Sequence, residues 1–305
     1  MSHVARFLDP GLVERLSQLQ LSARSVVEGT TAGLHRSALK GASVEFRQHR
    51  IYAAGDEPRR LDWRVLARTD RPYVREYQEE TNLRALIVLD RSGSMGYGGK
   101  FGTKLQYASQ ITAALAYLML GRTESVGLAV FAARLEDWLA PQAHASAQLS
   151  RVIDVLERTE PASAGGGTSS GAADVALHEV ADRLGRRSLV IVLSDLFLPI
   201  ERLRRGLARL RHDRHEVIAM QVLDKDELEF PFSSFARFHG LEDESPAIYD
   251  AALLRKKYLF NLTRHQQALE ETCRTLGAEL ARFITDRPLD EALISFLRRR
   301  AVSSK

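Results

Sequence analysis

From residue 83 onward, short apolar runs alternate with longer stretches whose apolar positions recur every three to four residues. A run of four to eight apolar residues between turn formers reads as a buried strand, and the 3.6-residue recurrence reads as a helix. Strands are expected on that basis at 83–89, 125–131, 188–193, 216–223 and 278–284, with a shorter one at 133–139 running back beside 125–131. Helices are expected at 103–120, 145–158, 172–184, 200–211, 257–276 and 289–298. Strands separated by helices of this length predict an α/β fold, a doubly wound, mostly parallel sheet covered on both faces. The pattern breaks between residue 224 and about 249, where Glu227, Glu229, Pro231, Glu242, Asp243 and Pro246 follow no clean period. This stretch and the helix behind it, about 224–276, read as an excursion from the sheet.

Two other textures precede the sheet. Residues 1–38 look helical, with Leu12, Val13, Leu16, Leu19 and Leu21 near helical spacing behind Pro10 and Gly11. Residues 39–82 instead carry Gly41, Gly55, Pro58 and Pro72 among dense mixed charge. Between Glu45 and Tyr77 there are eight arginines and six carboxylates. Guanidinium forks and carboxylates at that density suit an ion-pair lattice, whereas a nucleic-acid surface is one-sided. Tyr52, Trp63, Tyr73 and Tyr77 would supply apolar area for packing on the sheet, making this segment a structural collar. The alternative is a docking surface for a partner protein. The expected organisation is thus 1–38, 39–82, and a sheet domain over 83–305.

Composition narrows the function classes. The 305 residues are 45% hydrophobic and 27% charged, ordinary values for a soluble globular protein. The net charge of +4 is spread over 43 basic and 39 acidic residues, and clusters such as Arg298-Arg299-Arg300 read as solvated helix faces. No nucleic-acid partner is expected. Cys273 is the single cysteine, which removes an intrachain disulfide and a cysteine-based zinc site. Residues 1–20 lack the pattern of a signal peptide, and the longest apolar stretch, 111–120, is about half a membrane span. The expectation is a soluble, cytoplasmic chain with no membrane insertion.

The candidate chemistry sits at the ends of two strands. Asp90-Arg91-Ser92-Gly93-Ser94 follows directly on the run 83–89. One carboxylate and two hydroxyls on short side chains form a plausible partial shell for magnesium, which takes oxygen ligands and keeps several waters. Thr168 follows Gly165-Gly166-Gly167, and Asp195 closes the run 188–194. Each residue alone also has a plain structural use. Ser92 or Ser94 could cap the helix near Lys104, and Asp195 the helix near Ile200.

Taken together, Asp90, Ser92, Ser94, Thr168 and Asp195 fill all five positions of a pattern that resembles the metal-ion-dependent adhesion site (MIDAS) of von Willebrand factor A domains. The segment from Glu45 through Asp56, Arg59-Arg60-Leu61-Asp62-Trp63-Arg64 and Tyr73-Val74-Arg75-Glu76-Tyr77 extends the likeness. With the metal-site pattern behind it, this segment resembles a bacterial family catalogued as a domain of unknown function (number fifty-eight). Members of that family are typically encoded beside MoxR-type AAA+ ATPases. The resemblance implies a von Willebrand A fold and a bound Mg2+ (or Mn2+) whose open position takes an acidic residue of a partner protein. Asp90, Ser92 and Ser94 would then coordinate directly, and Thr168 and Asp195 directly or through water. It further implies a MoxR-type AAA+ ATPase as partner, with this chain as adaptor or co-chaperone acting on an unknown client protein.

Catalytic readings find little support in the residues. Gly96-Tyr97-Gly98-Gly99-Lys100 is followed by Phe101, so the hydroxyl of a phosphate-binding loop is missing, and no G-x-S-x-G surrounds Ser92 or Ser94. A phosphatase nucleophile at Asp90 usually has a second carboxylate two residues on, and Ser92 stands there. His212 and His215 read as loop residues, since zinc needs a third ligand in reach. The chain is therefore expected not to be an enzyme. The alternatives are a scaffold whose metal only stabilises its own loops and a magnesium-dependent phosphoester hydrolase.

Overall fold

A computed structural model describes residues 44–52, 61–79, 84–99, 102–121, 124–162, 173–232, 235–238 and 247–303. The helix expected within 1–38 lies outside the described residues. In the arginine-rich segment, β1 (Val44–Ile51) pairs antiparallel with β2 (Tyr73–Glu79), and α1 (Trp63–Thr69) lies between them in sequence. Asp62 opens α1, its carboxylate accepting the Val65 amide at 3.3 Å while its own amide donates to the Tyr73 carbonyl at 2.8 Å. Trp63, expected to pack on the sheet, is instead 66% exposed. It occupies the first position of α1, one residue beyond the buried Asp62.

The main sheet has six strands. In chain order they are β3 (Arg84–Asp90), β6 (Ser125–Phe131), β7 (Leu135–Gln142), β8 (Leu189–Ser194), β9 (Glu216–Leu223) and β12 (Glu279–Ile284). Their spatial order is β7-β6-β3-β8-β9-β12, all parallel except the edge strand β7, which runs back beside β6. Counted within this sheet the order is 3-2-1-4-5-6, that of a doubly wound fold. The expected α/β class is therefore the observed one. β4 (Gly98–Gly99) and β5 (Gly102–Thr103) form a small ribbon after β3, and β10 (Phe235–Phe238) pairs with β11 (Ala247–Asp250) inside the excursion.

Alternation along the strands distributes the core to two faces. Ala85, Ile87 and Leu89 of β3 point to one side with Val126, Leu128, Ile191 and Met220. There they meet α2 (Lys104–Leu120), α3 (Ala145–Arg158) and α8 (Leu289–Ser303). Leu86 and Val88 point to the other with Val190, Val192 and Ala219, under α4 (Ala173–Leu184), α5 (Ile200–His212) and α7 (Ala251–Leu276). Because both faces are covered, β3 and β8 read as unbroken apolar runs, and the next residue in the chain can be polar only where the sheet ends. Asp90 and Asp195 stand at those ends.

Two departures from expectation concern the excursion. Helix α7 begins at Ala251, six residues earlier than its apolar period suggests, because Asp250 caps it through the Ala252 amide at 3.0 Å. The irregular stretch also holds a short helix, α6 (Lys225–Glu229), opened by a reciprocal Asp224/Glu227 capping box. One helical turn is too short to show as a period.

Gly127 shows how tightly β6 and β7 meet. Their register shifts between Val126 and Leu128, and the buried Gln148 amide satisfies the carbonyls of Val126 (2.8 Å) and Ala140 (3.1 Å) at that irregularity. A Cβ on Gly127 would lie 2.5 Å from the Leu139 carbonyl oxygen and 2.8 Å from the Pro141 nitrogen. Backbone cannot yield as a side-chain tip can. Gly127→Ala should therefore cost about 1–2 kcal/mol in urea unfolding, overpacking outweighing the entropy that alanine removes from the unfolded chain. A stabilised Gly127→Ala protein would show that the strand pair is looser than described.

Candidate metal centre

The sheet reverses direction of growth at β3: the chain first adds β6 to one side, then β8 to the other. Outside the carboxyl ends of the strands flanking such a switch point, the connections part and leave a crevice. Asp90, the last residue of β3, and Asp195, the first after β8, both face it, with relative exposures of 5% and 3%. The structure brings four of the five expected residues into this crevice: Asp90, Ser92, Ser94 and Asp195. Thr168 lies outside the described residues. Ala162, the last described residue before it, stands beside the site, its amide donating to the Arg91 carbonyl at 2.8 Å, while the Arg91 Nε donates to the Glu160 carbonyl at 2.7 Å.

None of the four acts as a helix cap in the way the structural alternative required. The cap of α2 is Thr103, which accepts the Gln106 amide at 3.1 Å, and the residue before α5 is Pro199. Ser92 precedes a 3-10 turn at Gly93–Gly96 without making a side-chain cap bond. The residues bond to one another instead. Asp90 Oδ1 accepts the Ser92 amide at 2.8 Å, and Asp90 Oδ2 accepts the Ser194 hydroxyl at 2.6 Å. The hydroxyls of Ser92 and Ser94 lie 3.2 Å apart. Asp195 Oδ1 accepts the Phe197 amide at 3.1 Å.

The next residue, Leu196, is held at φ 57°, a left-handed conformation that a leucine adopts only under constraint. Its amide donates to Ser194 Oγ at 3.0 Å and its carbonyl is met by His265 Nε2 at 2.9 Å, so the turn is fixed from both sides. Strain of this kind costs on the order of 1–3 kcal/mol and points to a site that needs this geometry.

The electrostatics are those of a place short of positive charge. Burial raises the pKa of Asp90, and the charge of Asp195 raises it further, against the hydrogen bonds from Ser194 and Ser92; the carboxyl is pushed up to about 6. Asp195 goes the other way. Its burial is outweighed by the Lys104 ammonium and by the bonds from Lys104, Ser94 and Phe197, and its pKa falls below the ordinary value.

Lys104, unremarked in the sequence, is the residue that pattern reading missed. Its side chain is fully buried, with Nζ 2.8 Å from Asp195 Oδ2 and 2.6 Å from Glu227 Oε1. The rings of Phe197 and Tyr97 lie 5.3 and 6.0 Å from the ammonium. Burial pushes its pKa down, but Asp195 and Glu227 outweigh that and hold it above the usual lysine value. The available signal was a lysine at the start of an apolar helix, where the dipole disfavours positive charge.

The donor set fits a hard cation. It offers oxygen only, from two buried carboxylates that repel each other and two adjacent hydroxyls, which suits Mg2+ or Mn2+. Among the described residues no group of three or more His, Cys, Asp or Glu side chains gathers, so a cation here would be held by hydroxyls as well as carboxylates. His215 is occupied structurally, its Nδ1 accepting the Ser188 amide at 3.1 Å, and burial lowers its pKa.

Fold and site together define a doubly wound α/β domain with a buried carboxylate–hydroxyl cluster at its switch point. The chain belongs to the family described as "Protein of unknown function DUF58", whose model matches residues 48–268. An uncharacterized protein of Mycobacterium tuberculosis, Rv1480, is 28% identical over 295 residues, covering 95% of this chain and 90% of its own. An uncharacterized protein of Mycobacterium bovis, Mb1516, matches to the same extent. Similar solved structures include an aerotolerance-related membrane protein from Bacteroides fragilis, at 14% identity and a TM-score of 0.45, covering 71% of this chain and 97% of that one. BatB from Bacteroides thetaiotaomicron stands at 16% and 0.43, covering 72% and 98%. A von Willebrand factor type A protein from Catenulispora acidiphila stands at 13% and 0.37, covering 75% and 44%. Among the described residues no helix is long and apolar enough to cross a membrane.

The raised pKa of Asp90 has a sign that can be tested. In metal-free protein the fold prefers Asp90 neutral, so this contribution to stability is full below the unfolded value of 3.8 and is lost as pH rises through about 6. Asp90→Asn is neutral at every pH. In chelator it should gain on wild type by up to about 3 kcal/mol between pH 4 and pH 7.5, measured as the difference in urea unfolding. An advantage that does not change with pH would contradict the charge repulsion described.

Proposed function

We propose that this chain is a metal-dependent protein-binding module rather than an enzyme. Asp90, Ser92, Ser94 and Asp195, with Thr168, would hold Mg2+ (or Mn2+). The bound ion would supply an electrophilic position for a carboxylate offered by a partner protein. The observation that carries this reading is the pair of buried, mutually repelling carboxylates beside two hydroxyls at the switch point. This chain's residues do the preparatory work. Ser194 and the Ser92 amide orient the Asp90 carboxylate, the Phe197 amide and Lys104 orient that of Asp195, and Leu196 fixes the turn between them.

Membership of the family supports the finer proposal of a MoxR-type AAA+ ATPase as partner, with the chain serving as its adaptor or co-chaperone toward a client protein. That step is an analogy at the level of family and fold.

The test is capture of a purified MoxR-type ATPase by the full chain, with magnesium and with chelator, for wild type and Asp90→Ala. Retention should drop at least tenfold in chelator and for the variant, while the melting temperature of Asp90→Ala stays within a few degrees of wild type. Equal capture under all conditions would remove the metal bridge. A collapse of melting temperature in Asp90→Ala would favour a metal or carboxylate that only stabilises the chain's own loops.

A further inference from the structure

Lys104 stands where a positive charge is least welcome. It is fully buried, and it opens α2 at the positive end of that helix's peptide dipoles. Two carboxylates and two aromatic rings hold it there. Its ammonium is shared between Asp195, a member of the candidate metal centre, and Glu227, which lies outside it. Glu227 is itself pinned, since its second oxygen accepts the Asp224 amide at 2.8 Å at the start of α6. Asp224 is in turn fixed by the Thr285 hydroxyl at 2.7 Å and the Asp226 amide at 2.9 Å. The lysine therefore sits between a carboxylate available to a metal and one anchored to the scaffold.

We propose that Lys104 is the internal counter-charge of the metal centre, and that the division of its ammonium between Asp195 and Glu227 sets how strongly the centre attracts a divalent cation. The inference rests on the metal-binding reading above and deepens it. Asp90 and Asp195 alone would neutralise a divalent ion, and Lys104 offsets part of the charge on Asp195. An ion held this way keeps positive charge to offer a partner's carboxylate. Glu227 draws the ammonium away from Asp195 and leaves that carboxylate more available.

Opposite substitutions should then act in opposite directions. Lys104→Met removes the positive charge beside Asp195 and tightens metal binding. Glu227→Gln keeps a hydrogen-bond acceptor for the lysine but removes its second counter-charge, so the ammonium settles on Asp195 and binding weakens. If the three residues serve only packing, both variants lose stability and neither shifts affinity in a sense set by its charge.

The experiment is calorimetric titration of magnesium chloride into the metal-free full chain at pH 7.5, for wild type, Lys104→Met, Glu227→Gln and Asp90→Ala. Thermal unfolding of each is followed in chelator and in magnesium. The expected Kd is about tenfold tighter for Lys104→Met and about tenfold weaker for Glu227→Gln, with no binding to Asp90→Ala. The melting temperature of Lys104→Met should gain more from magnesium than that of wild type. Should Lys104→Met fail to fold, Glu227→Gln carries the test, since it keeps the lysine in place. Both variants within twofold of wild type, or both shifted the same way, would overturn the role of Lys104 while binding abolished by Asp90→Ala leaves the metal reading standing. Failure of wild type itself to bind would overturn both.

Discussion

Two like charges buried side by side are the constraint around which this end of the molecule is arranged. Asp90 ends β3 beside Ser194, the last residue of the adjacent parallel strand β8, and Asp195 comes next to it as the chain leaves that strand. Buried carboxylates demand partners, and the structure supplies a different kind to each. Asp90 receives neutral donors, the Ser194 hydroxyl and the Ser92 amide, and its carboxyl remains hard to ionise. Asp195 receives a cation, Lys104, and ionises readily. The asymmetry leaves a crevice whose residual deficit is positive charge, next to the paired hydroxyls of Ser92 and Ser94.

Neighbouring features follow from keeping that arrangement in place. The left-handed Leu196 lets the chain turn sharply after Asp195, so that its amide meets Ser194 while the Phe197 amide meets the carboxylate. Arg91 ties the β3 end to the far side of the crevice through the Glu160 carbonyl and the Glu136 carboxylate. Gly96 is pressed so closely against Pro161 that a Cβ would lie 2.9 Å from that ring. The excursion contributes as well: α6 presents Glu227 to the lysine, and His265 of α7 braces the Leu196 carbonyl. A region that breaks the strand–helix rhythm thus completes the electrostatic surroundings of the site.

Much of this was legible in the residues. Strands buried on both faces leave unbroken apolar runs, so β3, β6, β8 and β9 stand out, and the polar residue after such a run marks the strand end where sites gather. Asp90 and Asp195 could be found that way. Lys104 left only a weak sign, a lysine at the start of an apolar helix, and its role shows only once tertiary structure brings two carboxylates to it from residues 91 and 123 positions away. Glu227 was hidden for the same reason, inside a stretch with no period. Trp63 shows the opposite error: an aromatic residue in a charged segment invites a packing role, yet its place at the first turn of a short helix leaves it exposed.

Location of a bound ion tests the account most directly. Crystals of the full chain grown or soaked with manganese chloride, with data collected at the manganese absorption edge, should show one anomalous peak in contact with Asp90, Ser92 and Ser94 at the carboxyl end of β3. A peak elsewhere on the surface, or an empty crevice with Lys104 unmoved between Asp195 and Glu227 at saturating manganese, would contradict the reading of this cluster as a metal centre.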